Sequence, residues 1–157
     1  MTLDDIEGEL PWGLHDADLV RLEVDWRHRQ LTLDARVKMD QHQTLDQLVR
    51  IKLSGLYYFT MSPPDVSNPS GPPDAGALPW IDARPGFIRD EDAKAHPPTP
   101  EGSFVHYIYF RDDNSVLHVC ARDAELTWLE KEPVSCSDEP QALFPGDEIP
   151  DPKPKGS

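Results

Sequence analysis

Cysteine is scarce in this sequence of 157 residues, which contains only Cys120 and Cys136. The two residues fit neither a CxxC motif nor a zinc-finger spacing, and so few cysteines are typical of free thiols in a reducing cytosol. A single disulfide between them is the alternative. Long apolar runs are also missing, since no stretch approaches the roughly 18 residues of a membrane helix. The first ten residues have neither the basic nor the apolar region of a secretory signal, so we expect a cytoplasmic protein.

Basic residues are outnumbered, because 15 lysines and arginines stand against 29 aspartates and glutamates, a formal net charge of −14. A chain this acidic repels nucleic-acid phosphates and anionic lipid headgroups, so we expect neither a nucleic-acid nor a membrane partner. A basic protein partner is favoured, because opposite charges accelerate encounter. The alternative is that the charge serves solubility alone. The sequence indicates no oligomeric state.

Motifs of nucleotide binding and of nucleophilic catalysis are absent. There is no GxxxxGK or GxGxxG loop and no GxSxG turn. Carboxylates are so abundant that no pair of them marks a catalytic site. We therefore expect no cofactor and assign no catalytic residue, and a non-enzymatic protein is favoured over an enzyme.

Proline divides the chain into four parts. Of the 17 prolines, ten lie between Met61 and Glu101 and six lie in 132–157. Proline lacks the backbone donor that a sheet interior needs. We predict a single β domain over residues 1–131, interrupted by a Pro-rich insertion at 61–101 and followed by an acidic Pro-rich tail. The insertion contains Trp80 and other apolar residues, so part of it is expected to pack back onto the sheet.

Alternation of apolar and polar residues predicts half-buried strands before the insertion, at 20–26, 31–39 and 49–59. After it, the aromatic and β-branched run 104–110 carries no charge and predicts a strand covered on both faces, with 116–121 as its return strand. Gly55 indicates a bend or bulge in the third of them, and 125–131 is either an edge strand or a short helix. Six strands, with 125–131 counted as the sixth, predict an all-β or mainly β fold, in which an antiparallel meander forms a sandwich or an open barrel.

The first candidate site is the adjacent pair His15 and Asp16, just before the first strand. An imidazole and a carboxylate can supply two metal ligands or a general base. The alternative is structural: Asp16 or Asp18 caps a turn, and His15 bonds to nearby backbone.

The second candidate site lies on the predicted hairpin of 104–110 and 116–121. If its turn centres on Asp113, residue 106 lies opposite residue 120, and His106, His118 and Cys120 share one face. Two imidazoles and a thiolate are a plausible zinc set. The arrangement depends on the assumed register, because a slip of one residue reverses the faces. Buried histidines that bond to backbone or tyrosine explain the pattern equally well.

A partner-binding role is predicted for the acidic run Asp90, Glu91 and Asp92 in the insertion. The first 18 residues add six acidic side chains and no basic one. Such fields attract a basic protein and accelerate its association.

Residues 10–18, Leu-Pro-Trp-Gly-Leu-His-Asp-Ala-Asp, and the two alternating strands after them resemble a group of small bacterial proteins. Those proteins begin with a His-Asp-Ala box and a strand-turn-strand unit, and they include the immunity protein 50 family and related domains of unknown function. The resemblance covers residues 10–37. It implies a non-enzymatic module that neutralises a toxin, and it supplies no catalytic residues.

Two functions are therefore carried forward. The first is a non-enzymatic protein-binding module, such as a bacterial immunity protein that neutralises a basic toxin. The alternative is a small metal-dependent hydrolase that uses His15 and Asp16, or the set formed by His106, His118 and Cys120.

Overall fold

The structure of the protein is a computed structural model, and it describes residues 1–63 and 79–136. The elements are α1 (Leu3–Glu9), β1 (Ala17–Asp25), β2 (Gln30–Lys38), β3 (Leu45–Ser54), β4 (Tyr58–Met61), β5 (Trp80–Pro85), α2 (Asp90–Ala95), β6 (Phe104–Phe110), β7 (Ser115–Ala121), β8 (Asp123–Trp128) and β9 (Val134–Ser135). Within these two ranges, neither helix is long or apolar enough to cross a membrane.

The nine described strands pair antiparallel in one sheet, in the order β4-β7-β6-β5-β1-β2-β3-β8, with β9 also beside β3. Two three-stranded meanders, β1-β2-β3 and β5-β6-β7, lie side by side and meet where β1 pairs with β5. The order leaves β4 and β8 at its ends, so the sheet is open rather than closed into a barrel. The predicted mainly β, antiparallel fold is confirmed.

The sheet turns a corner at Gly55, between β3 and β4. Gly55 has a φ of 64°, in the left-handed region that favours glycine. The segment between β7 and β8 turns beside it: the N–H of Arg122 donates to the carbonyl of Ser54 (3.0 Å), and that of Tyr57 donates to the carbonyl of Cys120 (2.8 Å). Because both segments turn together, β3 pairs with β8 before the corner and β4 pairs with β7 after it. The bend predicted at this glycine is confirmed.

The core is formed by the inner face of the sheet and by α1. The largest fully buried side chains are Leu3, Ile6, Leu14, Leu31, Leu33, Ile51, Leu53, Leu56, Ile81, Ile108, Leu117 and His106. Helix α1 begins at a capping box, in which the Asp5 N–H donates to Thr2 Oγ1 (3.1 Å) and the Thr2 N–H donates to Asp5 Oδ2 (2.6 Å). A helix of seven residues is marginal alone, so burial of Leu3 and Ile6 is what stabilises it. This helix was not among the elements predicted from the sequence.

Strand β5 and helix α2 lie in the predicted Pro-rich insertion. β5 pairs with β6 along five residues and with β1 at two, and its Ile81 is fully buried. The expectation that part of the insertion packs onto the sheet is confirmed. Residues 64–78 of the insertion, and the predicted tail from residue 137 onward, lie outside the described residues.

A β-bulge changes the predicted pattern of β1. The pairing of β1 with β2 shifts by one between Leu19 and Arg21, so Val20 is the extra residue. The alternation in 20–26 placed Val20 and Trp26 on one half-buried face, yet both side chains are exposed. The undecided segment at 125–131 contributes to strand β8 and not to a helix.

Candidate functional site

The His-Asp pair of the sequence analysis lies just before β1, beside the middle of β5. Asp16 has a left-handed backbone conformation with a φ of 55°. Its side chain lies next to that of His15. The distance between His15 Nε2 and Asp16 Oδ2 is 3.3 Å. On the other side of the ring, His15 Nδ1 lies 2.6 Å from Asp82 Oδ1 on β5. The imidazole is thus held between two carboxylates from distant parts of the chain.

Arg111, directly after β6, completes this charged cluster. Its Nη1 pairs with Asp16 Oδ1 and lies 3.7 Å from Asp82 Oδ2. Burial alone would raise the pKa of Asp16. A hydrogen bond from Gln43, together with the neighbouring His15 and Arg111, outweighs this effect, so the pKa of Asp16 lies below its usual value. Asp16 is therefore a carboxylate at neutral pH.

The cluster has a donor set that is able to hold a cation. The ligand atoms of His15, Asp16 and Asp82 all lie within 4.8 Å of one another. Imidazole nitrogen and carboxylate oxygen are common ligands of Zn²⁺. The same atoms also form an ionic network with Arg111, which fixes the His-Asp pair onto β5. The arrangement is suited both to structural anchoring and to metal binding.

A cavity of about 280 Å³ lies between α1 and β5, next to the charged cluster. It is lined by Asp4, Glu7, Trp12, His15, Asp82, Ala83, Arg84 and Pro85. Glu7 and Asp82 each bond to a histidine, whereas Asp4 forms no hydrogen bond or ion pair with any residue in the described ranges. Carboxylates beside an indole are suited to a cationic group, which pairs with the carboxylates and is attracted to the aromatic face.

All four tryptophans of the chain are exposed, by between 42% and 62%. Trp12 lines the cavity, while Trp80 and Asp82, two residues apart on β5, project from the same side of the strand. The guanidinium of Arg111 lies over the Trp80 ring, 5.1 Å from its centroid. We call the surface formed by Trp12, His15, Trp80, Asp82 and Arg111 the β5 face. Exposed aromatic residues beside charged groups are typical of protein-binding surfaces.

The β6–β7 hairpin does not bring His106, His118 and Cys120 together. His106 lies opposite Val119 and not opposite Cys120, a register one residue away from the one assumed in the sequence analysis. Because side chains alternate between the faces of a sheet, His106 lies on one face and the other two residues on the opposite face. The predicted metal site depends on a face shared by these three residues. The prediction that they share one face is therefore wrong. His106 instead donates from Nε2 to Glu7 Oε2 at 2.8 Å.

His118 is buried beneath the segment that contains α2. Its ring centroid lies 5.4 Å from that of Phe87 and 5.1 Å from that of His96. Burial is the main cause of the lowered pKa of His118. The charge of Asp92 opposes this shift, whereas His96 and Arg89 add to it. The neutral imidazole is thus the form that the native structure prefers.

This preference predicts a loss of stability in mild acid. The unfolded chain takes up a proton at His118 near pH 6.5, whereas the native chain takes it up only at lower pH. Between the two pKa values the unfolded state binds more protons, so the free energy of unfolding falls as the pH falls below 6.5. We expect the variant His118→Phe, which keeps an aromatic ring, to lose less stability than the native protein when the pH is lowered from about 7.5 to about 5.5. Urea midpoints at both pH values measure the effect, and equal losses in the two proteins would contradict it.

The acidic run Asp90, Glu91 and Asp92 forms the first turn of α2. Asp92 pairs with Arg89, with 3.3 Å between Nε and Oδ2, and this hydrogen bond lowers the pKa of Asp92. Asp90 and Glu91 are exposed. Their role in binding a partner stays a prediction.

Sequence reasoning identified His15 and Asp16 but missed Asp82 and Arg111. A signal for Asp82 was present, because residues 80–84 alternate between outward and inward positions as a half-buried strand does. The prolines on both sides obscured it.

A comparison with protein-family models gives no match, and a comparison with curated proteins gives no significant match either.

Proposed function

We propose that this protein is a non-enzymatic protein-binding module that engages a basic protein through the β5 face. The observation that supports this most directly is the exposure of Trp12 and Trp80 beside a carboxylate-lined cavity. Tryptophan buries a large area on binding and is enriched among the residues that dominate interface energies. A chain with a net charge of −14 adds an attractive field for a basic partner.

The chemistry of the proposed contact has an example within the chain itself. Arg111 lies over Trp80 and pairs with Asp16, so one indole and one carboxylate together hold an arginine. Trp12 and Asp4 offer the same two groups at the cavity. An arginine or lysine of the partner would find a carboxylate and an aromatic face there.

We further propose that the partner is a basic toxin and that the protein acts as its immunity protein. The resemblance of residues 10–37 to bacterial immunity proteins motivates this choice, and the acidic surface supports it. A toxin that acts on nucleic acid has a site that attracts phosphates, and carboxylates on an inhibitor compete for that site. The exposed carboxylates of Asp90 and Glu91 are expected to contribute to this attraction.

The prediction is that the protein binds one-to-one to a toxin-like protein encoded by the adjacent reading frame. Co-expression, pull-down and a growth assay test it. In the purified complex, Trp12→Ala and Trp80→Ala should each weaken binding by about 30-fold, mainly through faster dissociation. Neutralising Asp90, Glu91 and Asp92 together should mainly slow association, as added salt does.

The matched control is Trp128→Ala. Trp128 is exposed to a similar degree as Trp12 but lies on β8, four strands away from β5 in the sheet order. Its replacement should leave the affinity unchanged. A neighbouring product that is harmless and does not bind would refute the immunity proposal, and equal losses for all three tryptophans would refute the β5 face as the interface.

A metal-dependent hydrolase is the second candidate, because the donor atoms of His15, Asp16 and Asp82 lie within 4.8 Å of one another. Hydrolysis requires in addition a general base or a metal-bound water beside a substrate pocket. The geometry supports the metal ligands more directly than the reaction.

A further inference from the structure

We propose that His15 Nε2 and Asp16 Oδ2 together bind one divalent transition-metal ion such as Zn²⁺, and that Asp82 orients the His15 ring for this purpose. The proposal concerns binding alone. It does not depend on the protein-binding function, since its ligand is a free metal ion.

The hydrogen bond between His15 and Asp82 determines which ring nitrogen is free. A carboxylate only accepts hydrogen bonds, so the 2.6 Å contact places a proton on Nδ1. In the neutral ring, Nε2 then carries a lone pair. Metal-bound histidines usually donate their other N–H to a carboxylate in this way, which fixes both tautomer and ring orientation.

The free nitrogen lies close to a second acceptor. His15 Nε2 lies 3.3 Å from Asp16 Oδ2, and a lone pair beside a carboxylate oxygen is repulsive unless positive charge lies between them. A second proton on the ring is one source of that charge, and a metal ion is the other. Ligands at roughly 2.0–2.1 Å from a tetrahedral zinc are about 3.4 Å apart, so the observed spacing suits a shared ion.

Neighbouring side chains hold Asp16 in place, and the exposed side of the site leaves room for water as a further metal ligand. Asp16 Oδ1 pairs with Arg111 and Oδ2 accepts from Gln43 Nε2 at 2.8 Å, which fixes the carboxylate. The side chain of His15 is 62% exposed, so water can complete the coordination shell. The positive charge of Arg111 opposes the ion, and the affinity should therefore rise when that charge is removed.

The test is a calorimetric titration of the full chain with ZnCl₂ after removal of metal by a chelator. We expect one ion per chain, a loss of at least about 10-fold in affinity for His15→Ala and for Asp16→Asn, and a loss of about 10–100-fold for Asp82→Asn. Arg111→Gln should bind more tightly than the native protein.

The matched control is His28→Ala. His28 also pairs with a carboxylate, through Nδ1 and Asp25 Oδ2 at 2.7 Å, but it belongs to no three-residue donor cluster within the described ranges. Its replacement should leave zinc affinity unchanged. Zinc binding that survives Asp16→Asn, or that is lost in His28→Ala, would overturn the proposal.

A second measurement needs no variant. Nitrogen chemical shifts of the native protein should show that zinc changes Nε2 of His15 while Nδ1 keeps its proton. If His15 keeps protons on both nitrogens in excess zinc, the ring is an imidazolium between two carboxylates and the proposal is wrong.

Discussion

Gly55→Ala is expected to destabilise the protein by about 2–4 kcal/mol, because an alanine meets two separate penalties at the corner of the sheet. A φ of 64° places the residue in the left-handed region, where a Cβ is unfavourable. An added Cβ would also lie 2.8 Å from the Cβ of Arg122, an atom that is fixed to the backbone and cannot swing away. Relief of this contact would pull apart the hydrogen bond from the Arg122 N–H to the Ser54 carbonyl.

Gly8→Ala is the matched control for this prediction. Gly8 lies within α1, and an added Cβ there meets no atom within 4 Å. Alanine is favoured over glycine in a helix, so this variant should gain about 0.5–1 kcal/mol. Urea unfolding curves of both variants measure the changes. A Gly55→Ala protein as stable as the native one would show that the corner tolerates a side chain.

The strands were predictable because most of them bury one face. Period-two alternation is visible wherever one side of a strand contacts the core, and it located the β1–β2 hairpin, whereas a charge-free aromatic run followed by turn residues located the β6–β7 hairpin. Glycine was informative at the corner, because few other residues adopt its conformation there. The bulge at Val20 was not predictable, since an extra residue in a strand leaves no compositional signal.

The register of β6 and β7 marks another limit of sequence reasoning. The turn residues between these strands do not define the centre of the turn to within one residue, and one residue decides which face a side chain occupies. A difference of one residue in the register places His106 on the opposite face of the sheet from His118 and Cys120. A zinc set inferred from two strands is only as reliable as their assumed pairing.

The candidate site was predictable only in part for a topological reason. His15 and Asp16 are neighbours in the chain, so their combination is visible in the sequence. Asp82 and Arg111 join them because β5 pairs with β1 on one side and with β6 on the other. The pairing of β1 with β5 joins Ala17 to Ile81 and Asp18 to Trp80, and no local pattern in the sequence reports a contact between such distant residues.

His106→Ala is expected to destabilise the protein by about 3–5 kcal/mol, because it leaves a cavity in place of a fully buried ring and removes the partner of a partly buried carboxylate. His106 is 1% exposed and donates to Glu7, whose side chain is 15% exposed. Without the imidazole, the Glu7 carboxylate loses its hydrogen-bond partner beside the cavity, and the space of the buried ring is left empty. The bond joins α1 to β6, so its loss should release the helix together with the cavity wall that Asp4 and Glu7 form.

A double variant separates the removal of a contact from the burial of an unpaired charge. In Glu7→Leu with His106→Leu, both polar groups are replaced by apolar ones of moderate size, and such pairs are often close to neutral in stability. We expect the double variant to unfold at a urea concentration near that of the native protein and well above that of His106→Ala. If it is as unstable as the single variant, the hydrogen bond itself stabilises α1. If it is as stable as the native protein but no longer binds the basic partner, the carboxylate of Glu7 contributes to the cavity as a charge and not as a support for the fold.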